Sequence, residues 1–148
     1  MTRDASTPVR HLARGRRLPE SLRSRLPFVA ALLATVAAGL GVRYGLARFP
    51  WLAKYGGVAL WSMMAYATLL VLAPRLSVPR AALIALGVSF AVELAQLSPV
   101  PAMLSAKHIL LRLLLGTSFS AWDLPAYAAG VALAAVAHHT LRRVERPR

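Results

Sequence analysis

Glu93, Gln96 and Ser89 are the residues of this chain best suited to chemistry: a carboxyl, an amide and a hydroxyl inside the otherwise apolar run from Ala81 to Leu97. At about 100° per residue the three share one helix face, a polar stripe on an apolar rod. A charged side chain near the centre of a membrane-spanning helix costs about 2.5–3.5 kcal/mol on insertion scales, so it needs a partner or a wet cavity. Further along, Lys107, His108 and Arg112 supply two cations and an imidazole, and Asp123 and Tyr127 supply a carboxyl and a phenol four residues apart. A carboxylate beside a guanidinium or ammonium holds its charge in low dielectric, so Glu93, Gln96, Lys107, His108, Arg112 and Asp123, with Ser89 and Tyr127 behind them, could form a shallow polar pocket for an anionic or hydroxyl-bearing lipid headgroup. Plainer roles compete. Glu93 could pair with Lys107 or Arg112 or reach headgroup water, Gln96 could bridge backbone groups, and Asp123 suits a helix N-cap helped by the macrodipole.

Catalysis would need a nucleophile, a base and an orienting group. His108 with Glu93 or Asp123 could be arranged so, but no spacing demands it, and no catalytic residue is assigned. No HExxH, Walker loop, dinucleotide fingerprint or nucleophile elbow is present, which disfavours a soluble-type enzyme. With no cysteine there is no thiolate nucleophile and no Cys-type zinc site, and no metal or cofactor is expected. His138 and His139, beside Arg142, read as interfacial side chains rather than ligands.

The elements that must carry these residues follow from composition. The chain has 148 residues and is 57% hydrophobic, a membrane composition. Its formal charge of +13 would suggest nucleic acid in a soluble protein, but seven Arg fall in residues 1–25 and four in the last seven. That excess is membrane orientation and attraction to anionic headgroups, with no nucleic-acid role. Sixteen Arg against two Lys, with abundant Ala, suggests a bacterial source.

Residues 1–26 form a basic tail, broken by Pro8 and Pro19 and too poor in large apolar residues to build a core. The Arg16-Arg17 pair is read as part of an uncleaved anchor. Residues 27–141 form a multi-pass membrane domain with helices over about 28–46, 55–73, 81–97 and 124–141, and 142–148 is a basic tail. In the first helix Ala37, Gly41 and Gly45 make a row of small residues of the kind that lets a neighbour approach, or one that frequent Ala and Gly produce by chance. Arg48 to Lys54 reads as a loop at the headgroup layer, with Phe49, Pro50 and Trp51. In the second helix Ser62 and Tyr66 share a face and suit interhelical packing. Residues 102–116 are too short and too charged to span, and Ser105, His108 and Arg112 line one face, as in an interfacial or re-entrant helix. The expected fold is therefore all-α, an integral membrane bundle of four transmembrane helices plus one short interfacial or re-entrant helix.

Four spans put both termini on one side. The two tails and the 74–80 turn hold thirteen Lys and Arg against five elsewhere, so both termini should be cytoplasmic in a cell-membrane protein. Glu93 then lies about 6 Å from the outer end of its helix, on the side where Asp123 begins the last one.

Three strings of residues carry a family resemblance: Lys54-Tyr55-Gly56-Gly57 followed by Ala59-Leu60-Trp61; Ser89 to Leu97 with its Glu-x-x-Gln; and Leu115-Gly116-Thr117-Ser118-Phe119-Ser120 followed by Asp123, Tyr127 and Gly130. In this order they resemble the domain-of-unknown-function 2809 (DUF2809) family of small bacterial multi-pass membrane proteins, over about residues 28–137. The Glu-x-x-Gln followed by Asp and a later Gly also resembles VanZ-like membrane proteins. The resemblance implies site positions at Glu93, Gln96, Gly116, Phe119, Asp123 and Tyr127 and no established activity. Family members carry a tryptophan and an arginine soon after the Glu-x-x-Gln, where this chain has Pro101 to Ala106 and then Lys107 and His108.

The expected function is that of a multi-pass membrane protein binding a lipid headgroup or a lipid-linked envelope precursor at an extracytoplasmic pocket. Two alternatives stand beside it: a membrane-embedded enzyme acting on an envelope lipid through Glu93 or Asp123, and a small transport subunit working as a homo-oligomer.

Overall fold

A computed structural model describes residues 19–144. The basic N-terminal tail lies mostly outside the described residues, and so does the end of the C-terminal one. Seven helices form among the described residues, with no strand: α1 (Glu20–Arg23), α2 (Leu26–Gly45), α3 (Pro50–Leu72), α4 (Val78–Ala95), α5 (Val100–Ser105), α6 (Ile109–Leu115) and α7 (Asp123–Val144). Four of them, α2, α3, α4 and α7, have 18 to 23 residues and are apolar enough to cross a membrane. At 1.5 Å per residue a 20-residue helix spans about 30 Å, the thickness of the hydrocarbon layer. The protein is thus an all-α membrane bundle of four spans, with the short helices α5 and α6 at one end and α1 leading into α2 at the other.

The helices start earlier than the residue pattern suggests, and proline is the reason. Pro27, Pro50, Pro79 and Pro101 each occupy one of the first two positions of α2, α3, α4 and α5. The first-turn N–H groups have no intrahelical partner in any helix, so the missing proline donor is harmless there and its fixed φ favours initiation. Residues 50–54, expected in a loop, are therefore the first turn of α3, and α4 begins at Val78 rather than Ala81. The single element expected over 102–116 is two short helices, because the chain turns extended at His108. There the ring Nδ1 accepts the Leu110 N–H at 3.1 Å and caps α6. Exposed Val100, Met103, Ile109, Leu110, Leu113 and Leu114 give this pair the greasy surface of an interfacial segment.

α3 is the hub, packed against α2, α4 and α7, while α4 also packs on α7. α2 lies mainly along α3 and buries no residue of its own. The buried positions recur about every four residues: Ala81, Ala85, Ser89 and Glu93 on α4; Ser62, Tyr66 and Leu70 on α3; Asp123, Tyr127, Val131 and His138 on α7. Each is a helix stripe turned inward. On α4 the stripe is small until its last member, which lets neighbouring backbones come close, as in other membrane bundles whose cohesion depends on packing. The middle of the seam is apolar, built from Tyr66, Leu70, Ala81, Ala85 and Val131.

The closest approach joins α3 to α7 at Gly130, where an added Cβ would overlap the Ala59 carbonyl and the Ser62 hydroxyl. That hydroxyl shares its one proton between the Ala59 carbonyl at 2.8 Å and the Tyr127 carbonyl at 3.0 Å, which places Ser62 in the interhelical packing expected of it. The row of Ala37, Gly41 and Gly45 has no such role within the chain: all three are exposed, and a Cβ at Gly41 or Gly45 would meet nothing within 4 Å. Gly130→Ala should therefore cost about 1–3 kcal/mol in a reversible unfolding assay in detergent, since backbone must move to admit the methyl group. Gly41→Ala should change stability by less than about 0.5 kcal/mol.

Candidate functional site

Glu93 is the last buried position of the α4 stripe, one turn before that helix ends at Gln96. It is completely buried, and a carboxyl group taken out of water must find donors or leave its lone pairs unmet. Two are supplied. The Ser120 backbone N–H donates to Oε1 at 2.6 Å, and the Tyr127 hydroxyl donates to Oε2 at 3.0 Å. Glu93 thereby ties α4 to the segment before α7 and to α7 itself. Tyr127 is held in turn by an edge-on contact with Trp61 of α3, ring centroids 5.7 Å apart.

Gln96 repeats the device one turn on. Its Nε2 donates to the Leu115 carbonyl at 2.7 Å, at the end of α6. The two side chains of the Glu-x-x-Gln motif thus hold opposite ends of segment 115–120, one by an amide donor and one by a carboxyl acceptor. Gly116, between them, has φ +65, a backbone angle that L side chains rarely adopt, and a Cβ there would sit 2.7 Å from Gln96 Nε2. Ser105 Oγ donates to the Gly116 carbonyl at 2.6 Å, so α5 is fastened to the same segment.

The clamp carries a charged rim. Lys54 Nζ donates to Ser120 Oγ at 3.0 Å and lies 3.1 Å from Asp123 Oδ1, with its side chain 47% exposed and that of Asp123 only 9% exposed. An ion pair with one solvated partner contributes about 1 kcal/mol or less, so its effect is mainly to orient the ammonium. Ser120 joins the two halves, donating its N–H to Glu93 and accepting from Lys54. Among the described residues, Trp61 Nε1, Gln96 Oε1 and Asp123 Oδ1 are buried without a hydrogen-bond partner, the last of them facing the Lys54 ammonium as an ion pair only.

Of the residues proposed from sequence, the structure gathers Glu93, Gln96, Asp123 and Tyr127 around segment 115–123. Lys107 and His108 are exposed on the α5–α6 connection and Arg112 is exposed on α6, and none of the three contributes a hydrogen bond or ion pair to Glu93 or Asp123. Glu93 is satisfied by a phenol and a peptide N–H, not by Lys107 or Arg112. Lys54 and Ser120 were missed as site residues; both lie in the strings that carry the family resemblance, which was the available signal. His138 departs furthest from expectation. It is buried in the core, not interfacial: Nδ1 lies 2.9 Å from the Tyr66 hydroxyl, and Nε2 accepts from Arg142 Nε at 2.7 Å. Because guanidinium can only donate, the ring is neutral with its proton on Nδ1, directed at Tyr66. His139 is exposed.

A family profile described as "Protein of unknown function (DUF2809)" matches residues 48–131, more than half of the chain. The match takes in Lys54, Glu93, Gln96, Gly116, Ser120, Asp123 and Tyr127 and stops short of His138 and Arg142. No curated protein and no solved structure matches.

Removing the carboxyl group should cost more than removing one of its donors. Glu93→Leu leaves a buried N–H and a buried hydroxyl unpaired, at roughly 1–3 kcal/mol each, whereas Tyr127→Phe leaves a single buried acceptor, Glu93 Oε2, without its donor and should cost about 1–3 kcal/mol in all. In a double-mutant cycle read by unfolding in detergent, Tyr127→Phe should be milder in the Glu93→Leu background than in the wild type.

Proposed function

This chain belongs to the DUF2809 family, whose function is unknown, and from that premise we propose that it is a membrane protein binding a headgroup-like ligand at the end of the bundle organised by Glu93. The ligand class is an anionic lipid headgroup or a lipid-linked envelope precursor. The observation that carries this reading is Lys54: an ammonium fixed by Ser120 and Asp123 on a clamped backbone, yet half open to its surroundings. One donor of the ammonium is engaged by Ser120, and Asp123 Oδ1 balances its charge from 3.1 Å without forming a hydrogen bond, which leaves donors for a phosphate or hydroxyl oxygen.

The surroundings support a headgroup at this level. Tyr44, Phe49, Trp51, Phe119 and Trp122 are all exposed near this end, in the manner of the aromatic girdle that anchors membrane proteins at the interface. In this reading the end faces the extracytoplasmic side of the cell membrane, and both termini are cytoplasmic, as the distribution of Lys and Arg favours. Glu93 and Asp123 act as positioning residues. Both oxygens of Glu93 are buried and already bonded, so acid–base work on a lipid would require segment 115–120 to lift away.

The wild type purified in mild detergent should retain an anionic or polyhydroxylated lipid that Lys54→Met loses, read by mass spectrometry of co-purifying lipids. Identical lipid profiles for the two proteins would contradict the assignment. Reporter fusions at both termini should report the cytoplasm, and an extracytoplasmic C-terminus would invert the proposed orientation.

A further inference from the structure

The opposite end of the bundle, where both termini emerge, holds a second site of different character. An open cleft of about 520 Å³ lies between the chain before α2 and the α3–α4 turn, with Arg25, Arg75, Arg80 and Ser77 in its wall. That volume falls within the roughly 300–1,000 Å³ typical of small-molecule pockets. Three guanidinium groups line it and no carboxylate does. Among the described residues neither Arg75 nor Arg80 has an ion-pair partner.

The surrounding backbone has been prepared in the same sense. The carbonyl oxygens of Val71, Pro74 and Leu76, which would repel an anion, are already occupied: Arg25 Nη1 donates to Val71 at 2.6 Å, and Arg142 Nη2 donates to Pro74 at 3.2 Å and Leu76 at 2.7 Å. Arg142 is aimed by its bond to His138, so the turn is braced from the core. Ser77 precedes α4 and makes no capping hydrogen bond with its side chain, which leaves its hydroxyl beside the positive end of an 18-residue helix. The cleft sits where α2 and α4 begin and α3 ends, so with those helices spanning a bilayer it falls toward the headgroup layer.

We infer that this cleft binds a phosphate group, carried by the headgroup of an anionic lipid or free in solution. Arg75 and Arg80 are its principal ligands, because both are exposed and uncommitted, while Arg25 divides its donors between the Val71 carbonyl and the cleft. The site lies at the other end of the bundle from Lys54 and stands independently of the function proposed there.

The test uses the full chain in detergent micelles, titrated with short-chain phosphatidylglycerol, short-chain phosphatidylcholine and inorganic phosphate, with bound ligand counted by native mass spectrometry. The variants are Arg75→Gln/Arg80→Gln and, with equal loss of charge at the other end, Arg43→Gln/Arg48→Gln. Phosphatidylglycerol should bind the wild type more tightly than phosphatidylcholine, and the Arg75/Arg80 pair should weaken it about tenfold or more while the Arg43/Arg48 pair leaves it unchanged. Competition by millimolar inorganic phosphate, lost in the same double variant, would assign the cleft to the free anion; no competition would assign it to the lipid. Both substituted arginines are solvent-facing, so each double variant should keep the wild-type far-ultraviolet circular dichroism spectrum. Equal weakening by the two pairs, no weakening by either, or no preference for phosphatidylglycerol in the wild type would overturn the inference.

Discussion

A carboxyl group in an apolar helix has to be satisfied by protein, since lipid supplies no donor, and one end of this molecule is arranged around that need. Glu93 cannot reach enough donors on its own helix, whose N–H groups are committed to the helical ladder. It takes one from the phenol of α7 and one from the peptide at Ser120, and so fixes the position of the irregular segment 115–120 at the end of the bundle. Where such a segment borders lipid, its backbone must be buried in protein or face water. Gln96, Gly116 and Ser105 complete the same task at the other end of the segment.

The transmembrane core then divides into three layers. Small and apolar residues of α3, α4 and α7 fill the middle, where close backbone packing rather than hydrophobic exclusion gives cohesion. The Glu93 network closes one end, and the Tyr66–His138–Arg142 chain closes the other, with Phe28 of α2 set edge-on to the imidazole. Each end presents a cation outward on a frame of hydrogen bonds: Lys54 above, and the arginine cleft below. α2 contributes little buried surface and is held mainly through α3.

Much of this was legible in the residues, for physical reasons that also explain the failures. Four spans follow from length and hydropathy alone, and an isolated carboxyl in an apolar run stands out because of its cost. Asp123 and Tyr127 could be placed with Glu93 because alternating spans bring 93 and 123 to one end. Lys107, His108 and Arg112 were grouped with them by chain proximity, yet helix phase at α5 and α6 depends on where His108 interrupts the helix, which no periodicity over fourteen residues determines. Pro50 and Pro79 looked like loop markers, although proline is equally at home in a first helical turn. Ser120 was invisible because its contribution is a backbone N–H, which any residue but proline supplies. His138 looked interfacial by its distance from the helix end; its burial depends on Tyr66 and Arg142 meeting it across helices.

The central claim is that Glu93 pins segment 115–120 to the bundle through the Ser120 N–H. Amide hydrogen exchange of the whole protein in detergent reads that bond directly. In the wild type the Ser120 amide should be strongly protected, and in Glu93→Leu its protection should fall by about tenfold or more while the mid-helix amides of α3 keep theirs. Equal protection of Ser120 in the two proteins would contradict the account.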